Sequence, residues 1–278
     1  MANRLMNYTR AYRWGSTGRC IATIAAALAL SSVALAQTAD QPAPTRARRP
    51  PDKVSTEPFD KHNLTAIWLL RTPFAGISNT PPPMTAWGQM KFDANKPSYG
   101  PRAVPPAEGN DVIGNCDPTG FPRNMFSPSR PVQFVQLPNE LLQVFQYHGV
   151  WRQIWTDGRE LPKDPDTSWY GTSVGKWDGD TFVVNTVGLD ERTWLDHFGY
   201  PHSGDMRVEE RYTRTDHDTF ELILTVDDPK TYTKPWVSPK KIYKLAAPAA
   251  LEEDYCVPSE EQHFNSSMRN PADGKNSQ

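Results

Sequence analysis

The stretch TSVGKWDGDTFVVNTV, residues 172–187, decides the fold. Two runs rich in valine, threonine and aromatic side chains flank Asp178-Gly179, the strongest short hairpin signal in the chain. The same style of short alternating run, bounded by turn residues, recurs on either side of it. The pattern predicts strands over 132–137, 141–148, 150–157, 172–177, 181–187, 206–214, 220–226 and 240–245. Turns are explicit at Pro138-Asn139-Glu140, His148-Gly149 and Asp216-His217-Asp218. About eight consecutive antiparallel strands with short connections imply a mainly β chain folded as an antiparallel up-and-down barrel. Such a barrel is wide enough for one small ligand in its interior. A two-sheet sandwich is the structural rival.

Upstream, the style changes. Eighteen of the 27 prolines fall between Pro42 and Pro138. Proline cannot donate to a strand ladder, so this third of the chain is expected to wrap the core as extended arms. Within it, LTAIWLL at 64–70 reads as an opening strand. MTAWGQMKFDA at 84–94 reads as one short helix with Trp87, Met90 and Ala94 on one face.

Residues 1–36 read as a secretory signal. Arg4, Arg10, Arg13 and Arg19 lead an Ala/Leu-rich stretch that ends in the small-x-small site Ala34-Leu35-Ala36. A membrane anchor is the rival reading, but the apolar run is short. Cleavage removes four positive charges, taking the net charge from −2 to −6. Residues 37–58 then form a disordered Pro-rich tether, 59–258 a single barrel domain with its N-terminal arms, and 259–278 a disordered tail. The expected location is periplasmic or secreted, with no membrane association after cleavage. No basic block points to nucleic acid. Loss of Cys20 with the leader leaves Cys116 and Cys256, an even pair best read as one disulfide in an exported protein. Closing so long a loop stabilises by at most about 4–5 kcal/mol on chain-entropy grounds.

Several motifs follow one another in order. They are Cys116-Asp117-Pro118-Thr119-Gly120-Phe121-Pro122-Arg123, Trp155-Thr156-Asp157-Gly158-Arg159, and the run from Trp169-Tyr170-Gly171 to Asp180. His202-Ser203, Glu210-Arg211, Asp228-Pro229, Pro235-Trp236 and Cys256 come after them. This succession resembles a large group of exported bacterial proteins. The resemblance spans roughly 64–256 and implies a lipocalin-like β-barrel with peripheral arms. It carries no catalytic assignment.

Strand periodicity supplies the first candidate site. In 206–214, Met206, Val208, Glu210 and Tyr212 share one face, and Arg207, Glu209, Arg211 and Thr213 the other. An inward apolar face makes Glu210 an interior carboxylate, suited either to proton transfer or to a structural salt bridge with Arg123, Arg152 or Arg214. The loop 194–205 adds His197 and His202. They suit acid–base work or a metal site, or else a polar turn in which His202 and Ser203 bond to backbone; their spacing matches no helical zinc motif. Asp157 and Arg159 suit a second carboxylate and an anion clamp at the barrel mouth, or an exposed turn. Arg123 suits a carboxylate clamp or an arm-to-barrel tie. Trp155, Trp169 and Tyr212 suit a ligand-lining role or plain packing, and Tyr170 a hydrogen-bond donor to substrate.

No phosphate loop, nucleophile elbow, HExxH or CxxC occurs, so no metal or cofactor is expected. Taken together, the chain is expected to handle a small apolar or aromatic organic molecule by cofactor-free acid–base chemistry of lyase, isomerase, cyclase or decarboxylase type. Glu210, His202, Tyr170 and Asp157 are the expected catalytic groups, and Arg123, Arg159, Trp155, Trp169 and Tyr212 the expected substrate contacts. The alternative is a periplasmic carrier that binds a ligand without changing it, and a third reading makes the Pro-rich arms a docking surface. The oligomeric state is left open.

Overall fold

The computed structural model describes residues 55–72, 76–105, 108–247, 250–260 and 267. The expected signal segment, nearly all of the tether and most of the tail lie outside the described residues. Ten strands form one sheet: β1 (Ala66–Leu70), β2 (Val132–Gln136), β3 (Glu140–Phe145), β4 (Val150–Trp155), β5 (Thr172–Asp178), β6 (Thr181–Val187), β7 (Arg207–Asp216), β8 (Thr219–Asp227), β9 (Trp236–Val237) and β10 (Lys241–Leu245). Neighbours in the sheet follow chain order from β1 to β8. β10 pairs with both β1 and β8 and so closes the sheet. The result is a closed, mixed barrel of nine strands; β9 is an appendage on the far half of β8.

Two features correct the sequence reading. The barrel has nine strands where about eight were expected, and it is not wholly antiparallel. β4 and β5 run parallel, in register only over Ile154↔Ser173 and Trp155↔Val174. Parallel neighbours need a crossover connection. Residues 156–171, with prolines at 162 and 165 and no regular period, carry the chain back along the barrel where an antiparallel connection was expected. There are also two short helices in place of one. The first, α1 (Ala86–Ala94), is capped by the Thr85 side chain. Its only buried residue is Gly88, where a Cβ would stand 2.3 Å from the Thr231 carbonyl oxygen. The expected Trp87–Met90–Ala94 face is therefore not the seated one, and Met90 is exposed.

The β5–β6 hairpin forms as expected, with Asp178 opposite Thr181. Gly179 takes a φ of +56° at the first central position of the turn, a backbone region open to glycine. Burial along β7 alternates with period two, as the sequence pattern requires. The inner faces meet in an aromatic core. Phe220 stacks on Tyr243 at 4.5 Å and meets Trp68 edge-on at 4.9 Å, while Phe134 packs against Tyr212 at 5.5 Å.

The N-terminal arm closes one end of this core. Residues 119–126 run across the barrel, with Phe121 and Phe126 fully buried and the Met125 carbonyl accepting from the Tyr243 hydroxyl. Gly120 is required there. Its φ is +74°, and a Cβ would come within 2.4 Å of the Thr193 side chain. Cys116 and Cys256 are bonded, with Cα atoms 5.4 Å apart across 140 residues. The bond ties the arm to the C-terminal segment, which Arg130 also grips through Asp254. Among the described residues no helix is long and apolar enough to cross a membrane. Replacing both Cys116 and Cys256 by serine is expected to lower stability by about 2–5 kcal/mol, the usual range for a native bond closing a long loop. Urea denaturation of the two proteins checks this.

Candidate functional site

Glu210 lies inside the barrel, as its place on the inward face of β7 requires, and is fully buried. Arg152, on the inward face of β4, meets it in a two-pronged ion pair: Nη2 to Oε1 at 2.6 Å and Nη1 to Oε2 at 3.0 Å. The remaining donors of the guanidinium are also placed. Nη1 reaches Gln143 Oε1 at 3.0 Å, Nε and Nη2 reach Ser173 Oγ, and Nη2 reaches Thr186 Oγ1 at 2.7 Å. The Tyr212 hydroxyl donates to Glu210 Oε2 and accepts from Gln143 Nε2. Burial, reinforced by the Glu210 charge, holds the Tyr212 hydroxyl far above its usual pKa, so it is a donor at every working pH. The Phe121 ring lies 3.8 Å from the guanidinium carbon. Every polar group of this cluster has a partner, and the aromatic plug covers it. Both carboxylate oxygens are committed, which is the structural-bridge arrangement with Arg152 as partner.

The other expected site residues do not join Glu210. His202 is buried on the loop before β7, its Nε2 2.9 Å from Thr193 Oγ1 and its Nδ1 2.9 Å from the Ser203 carbonyl oxygen. Burial lowers its pKa, leaving a neutral ring with both nitrogens occupied. Ser203 binds Asp228 through its N–H and its hydroxyl, so this loop is pinned to the end of β8. Asp157 and Arg159 are exposed and bind each other at 2.6 Å. Arg159 also covers the Trp155 ring at 3.6 Å, and Arg192 covers Trp169 at 4.3 Å. Trp155 and Asp157 continue the side of β4 opposite to Arg152 and Ile154. Among the described residues no three His, Cys, Asp or Glu side chains gather in metal-ligating fashion.

Two expected residues do come together on the outer side of the plug, through one that the sequence did not single out. Asn124, beside Arg123 in the turn Arg123–Phe126, donates from Nδ2 to the Tyr170 hydroxyl at 3.0 Å. The Gly120 N–H and the Thr119 hydroxyl also face that phenolic oxygen, although Thr119 Oγ1 closes no hydrogen bond. Burial keeps the Tyr170 pKa above its usual value despite these donors. Arg123 is clamped by Asp111, at 2.9 and 2.6 Å, and approaches His197 Nδ1 at 3.5 Å. A guanidinium only donates, so Nδ1 is the bare nitrogen of His197 and Nε2 carries the proton. Burial and the Arg123 charge pull the His197 pKa down to about 4. Tyr147, covered by Arg130 at 4.7 Å, is within electrostatic reach of Arg123, and burial raises its pKa.

This rim is under-satisfied. Thr119 Oγ1, Arg123 Nε and Asn124 Oδ1 are buried without a hydrogen-bond partner among the described residues. So is Asp196 Oδ2, on the residue before His197. Burial raises Asp196 to about 7, against smaller pulls from the backbone N–H of Phe198 and the charge of Arg123. Asp196 in turn raises Lys241, which burial has brought down to about 8 and whose Nζ holds the Gly76 carbonyl at 2.7 Å. Buried polar atoms are nearly always paired in native proteins, so these four atoms are the least satisfied polar groups of this region. Asp111 and Asn124 escaped the sequence reading because they sit in arm or turn segments without a period, and Tyr147 because the strand expected over 141–148 ends at Phe145 and gives way to a turn.

No protein family, no curated protein and no solved structure matches this chain. Of the resemblance read from the sequence, the closed β-barrel is what stands.

Two stability measurements follow from these contacts. Glu210→Gln strands the buried Arg152 charge and is expected to cost about 3–5 kcal/mol. Adding Arg152→Met should recover part of that loss, a coupling of about 1–3 kcal/mol; simply additive losses in denaturant melts would contradict the pairing. For Asp196 the sign is the reverse of a salt-bridged acid. The folded carboxyl keeps its proton to about pH 7, whereas an unfolded one loses it near 3.8, so the native state binds more protons between those values and stability falls as pH rises. The stability of the wild type relative to Asp196→Asn should therefore drop by about 2–3 kcal/mol from pH 5 to pH 8.

Proposed function

We propose that this is an exported barrel protein that takes a small apolar or aromatic organic molecule at the rim and acts on it by cofactor-free acid–base chemistry. The observation that carries this reading is the convergence of donors on the Tyr170 oxygen. Asn124 Nδ2 donates to it, and the Gly120 N–H faces it. These groups stabilise the phenolate that remains when Tyr170 gives its proton to a substrate atom, and they hold it until the proton returns. The hydroxyl proton has no acceptor among the hydrogen bonds of the described residues, and the side chain is only half buried. Arg123 Nε and Asn124 Oδ1 offer one further donor and one acceptor to orient the molecule. Export is supported by the N-terminal charge and hydropathy pattern and by the Cys116–Cys256 bond, which belongs to an oxidising compartment.

A second reading, a carrier that binds without chemistry, is favoured by one observation. Arg123 is already neutralised by Asp111, and among the described residues no carboxylate is hydrogen-bonded to Tyr170. Native mass spectrometry of the protein purified from its own compartment should show a co-purifying small organic compound. Returned to fresh protein, that compound should be converted by the wild type and at least about a hundredfold more slowly by Tyr170→Phe, the scale of a lost acid. Recovery of the compound unchanged from the wild type would establish the carrier. Absence of any bound compound, with no binding from a panel of small aromatic molecules, would overturn both readings.

A further inference from the structure

A concavity lined by none of the groups used above plays no part in that reading. It is a groove of about 340 Å³ between α1, the arm at 99–102 and the loop at 198–200. That volume is at the small end of the range for ligand pockets. Its walls are aromatic. Phe92 stacks on Tyr200 with centroids 4.8 Å apart and planes 20° apart, and Tyr99 leans on Phe198 at 5.6 Å. Tyr99 stands 57 % exposed at the lip. These rings pack on one another, and all four contribute to the wall of the groove.

The groove also holds one cation. The Arg102 guanidinium lies 3.8 Å over the Phe92 ring, and its Nη2 donates to the carbonyl oxygens of Phe92 and Asn95 at 2.7 and 3.0 Å. Both contacts fix the plane of the guanidinium and neither supplies a counter-charge. Among the ion pairs of the described residues none includes Arg102, and its Nη1 is buried without a hydrogen-bond partner. A guanidinium held in place by two carbonyls, carrying its charge without a carboxylate partner and set into an aromatic wall, is complementary in charge to a carboxylate attached to a planar ring. The neutral side chains around it, Ser78 and Asn79, bring no competing charge.

We propose that this groove is a binding site for a small flat aromatic acid, with the carboxylate on Arg102 and the ring against Tyr99 and Phe198. The proposal does not rest on the acid–base reading of the rim, although Tyr99 also meets the His197 ring edge-on at 6.4 Å.

The test is calorimetric titration of the full mature protein with 2-naphthoate and with its neutral analogue 2-naphthalenemethanol. Saturable one-to-one binding of naphthoate is expected, with the alcohol at least tenfold weaker. Tyr99→Ala, at an exposed position whose loss leaves the fold intact, should weaken naphthoate about tenfold. Arg102→Gln should reduce it to the level of the alcohol; because Arg102 also holds two backbone carbonyls, Arg102→Lys is run beside it and should retain part of the preference for the acid. Tyr170→Phe should leave the affinity unchanged. Equal binding of acid and alcohol, indifference to Tyr99→Ala, or no saturable binding would each overturn the proposal. A loss of naphthoate affinity in Tyr170→Phe alone would overturn it as well, by moving the ligand to the rim.

Discussion

The barrel depends on one guanidinium. β4 and β5 meet in parallel over two residue pairs, so the wall is thinnest there in backbone hydrogen bonds. Arg152 stands just before that seam and spans it with side-chain bonds, reaching Gln143 on β3, Ser173 on β5, Thr186 on β6 and Glu210 on β7. Five neighbouring strands are thereby tied at one point, which main-chain pairing alone does not do at a sparse parallel joint. Burying the charge is tolerable only because every donor finds an acceptor and the carboxylate opposite is equally well satisfied. A charge pair of this kind is weak support for stability in itself. What it supplies is register, since a one-residue slip of β4 would turn Arg152 outward and leave Glu210 buried alone.

The same completeness separates structure from chemistry. Two polar clusters lie on either side of Phe121. Inside it, Arg152, Glu210, Tyr212, Gln143, Ser173 and Thr186 leave no side-chain donor or acceptor unpaired. Outside it, Thr119, Arg123 and Asn124 each bury an atom with no hydrogen-bond partner among the described residues. A satisfied network resists a newcomer because any bond to it must first break another. An unsatisfied one gains from a newcomer, since the cost of burial has already been incurred. The acid at position 210 is therefore less suited to meeting a substrate than the neutral tyrosine at position 170.

How far the sequence was legible follows from where periodicity exists. Glu210 could be placed in the interior because β7 alternates strictly, and Gly179 marked its hairpin because the turn needs a glycine backbone. The parallel seam could not be read, since 156–171 has prolines and charges but no repeat, and a crossover leaves no local trace. Asp157 and Arg159 could be read as a mouth pair or as an exposed turn because both carry charge near a strand end; both are exposed and bind each other. Arg152 on β4 was named only as one possible partner among three. The plug was the least legible part. Its position depends on the fit of Gly120 to Thr193 and of Phe121 to Arg152, contacts between residues some 70 and 30 positions apart in the chain.

A barrel filled in this way leaves most of the unpaired polar atoms of the described residues to the irregular segments laid over it. Nine short strands with aromatic inner faces leave the centre to Trp68, Phe134, Tyr212, Phe220 and Tyr243, and the arm seals one end with Phe121 and Phe126. The wall provides rigidity, and the irregular segments laid over it provide the variable chemistry. Tyr170 precedes β5, Asn124 belongs to the plug, Asp196 and His197 to the loop before β7, and Arg102 to the Pro-rich arm. None lies in a strand, yet each is held by the barrel or by something packed on it: Tyr170 stacks parallel to Phe145 of β3, and the Asp196–His202 loop is anchored through Ser203 to Asp228. Proline serves this arrangement directly. It keeps the arms out of the sheet, where they would have extended the wall, and leaves them free to carry side chains across its end.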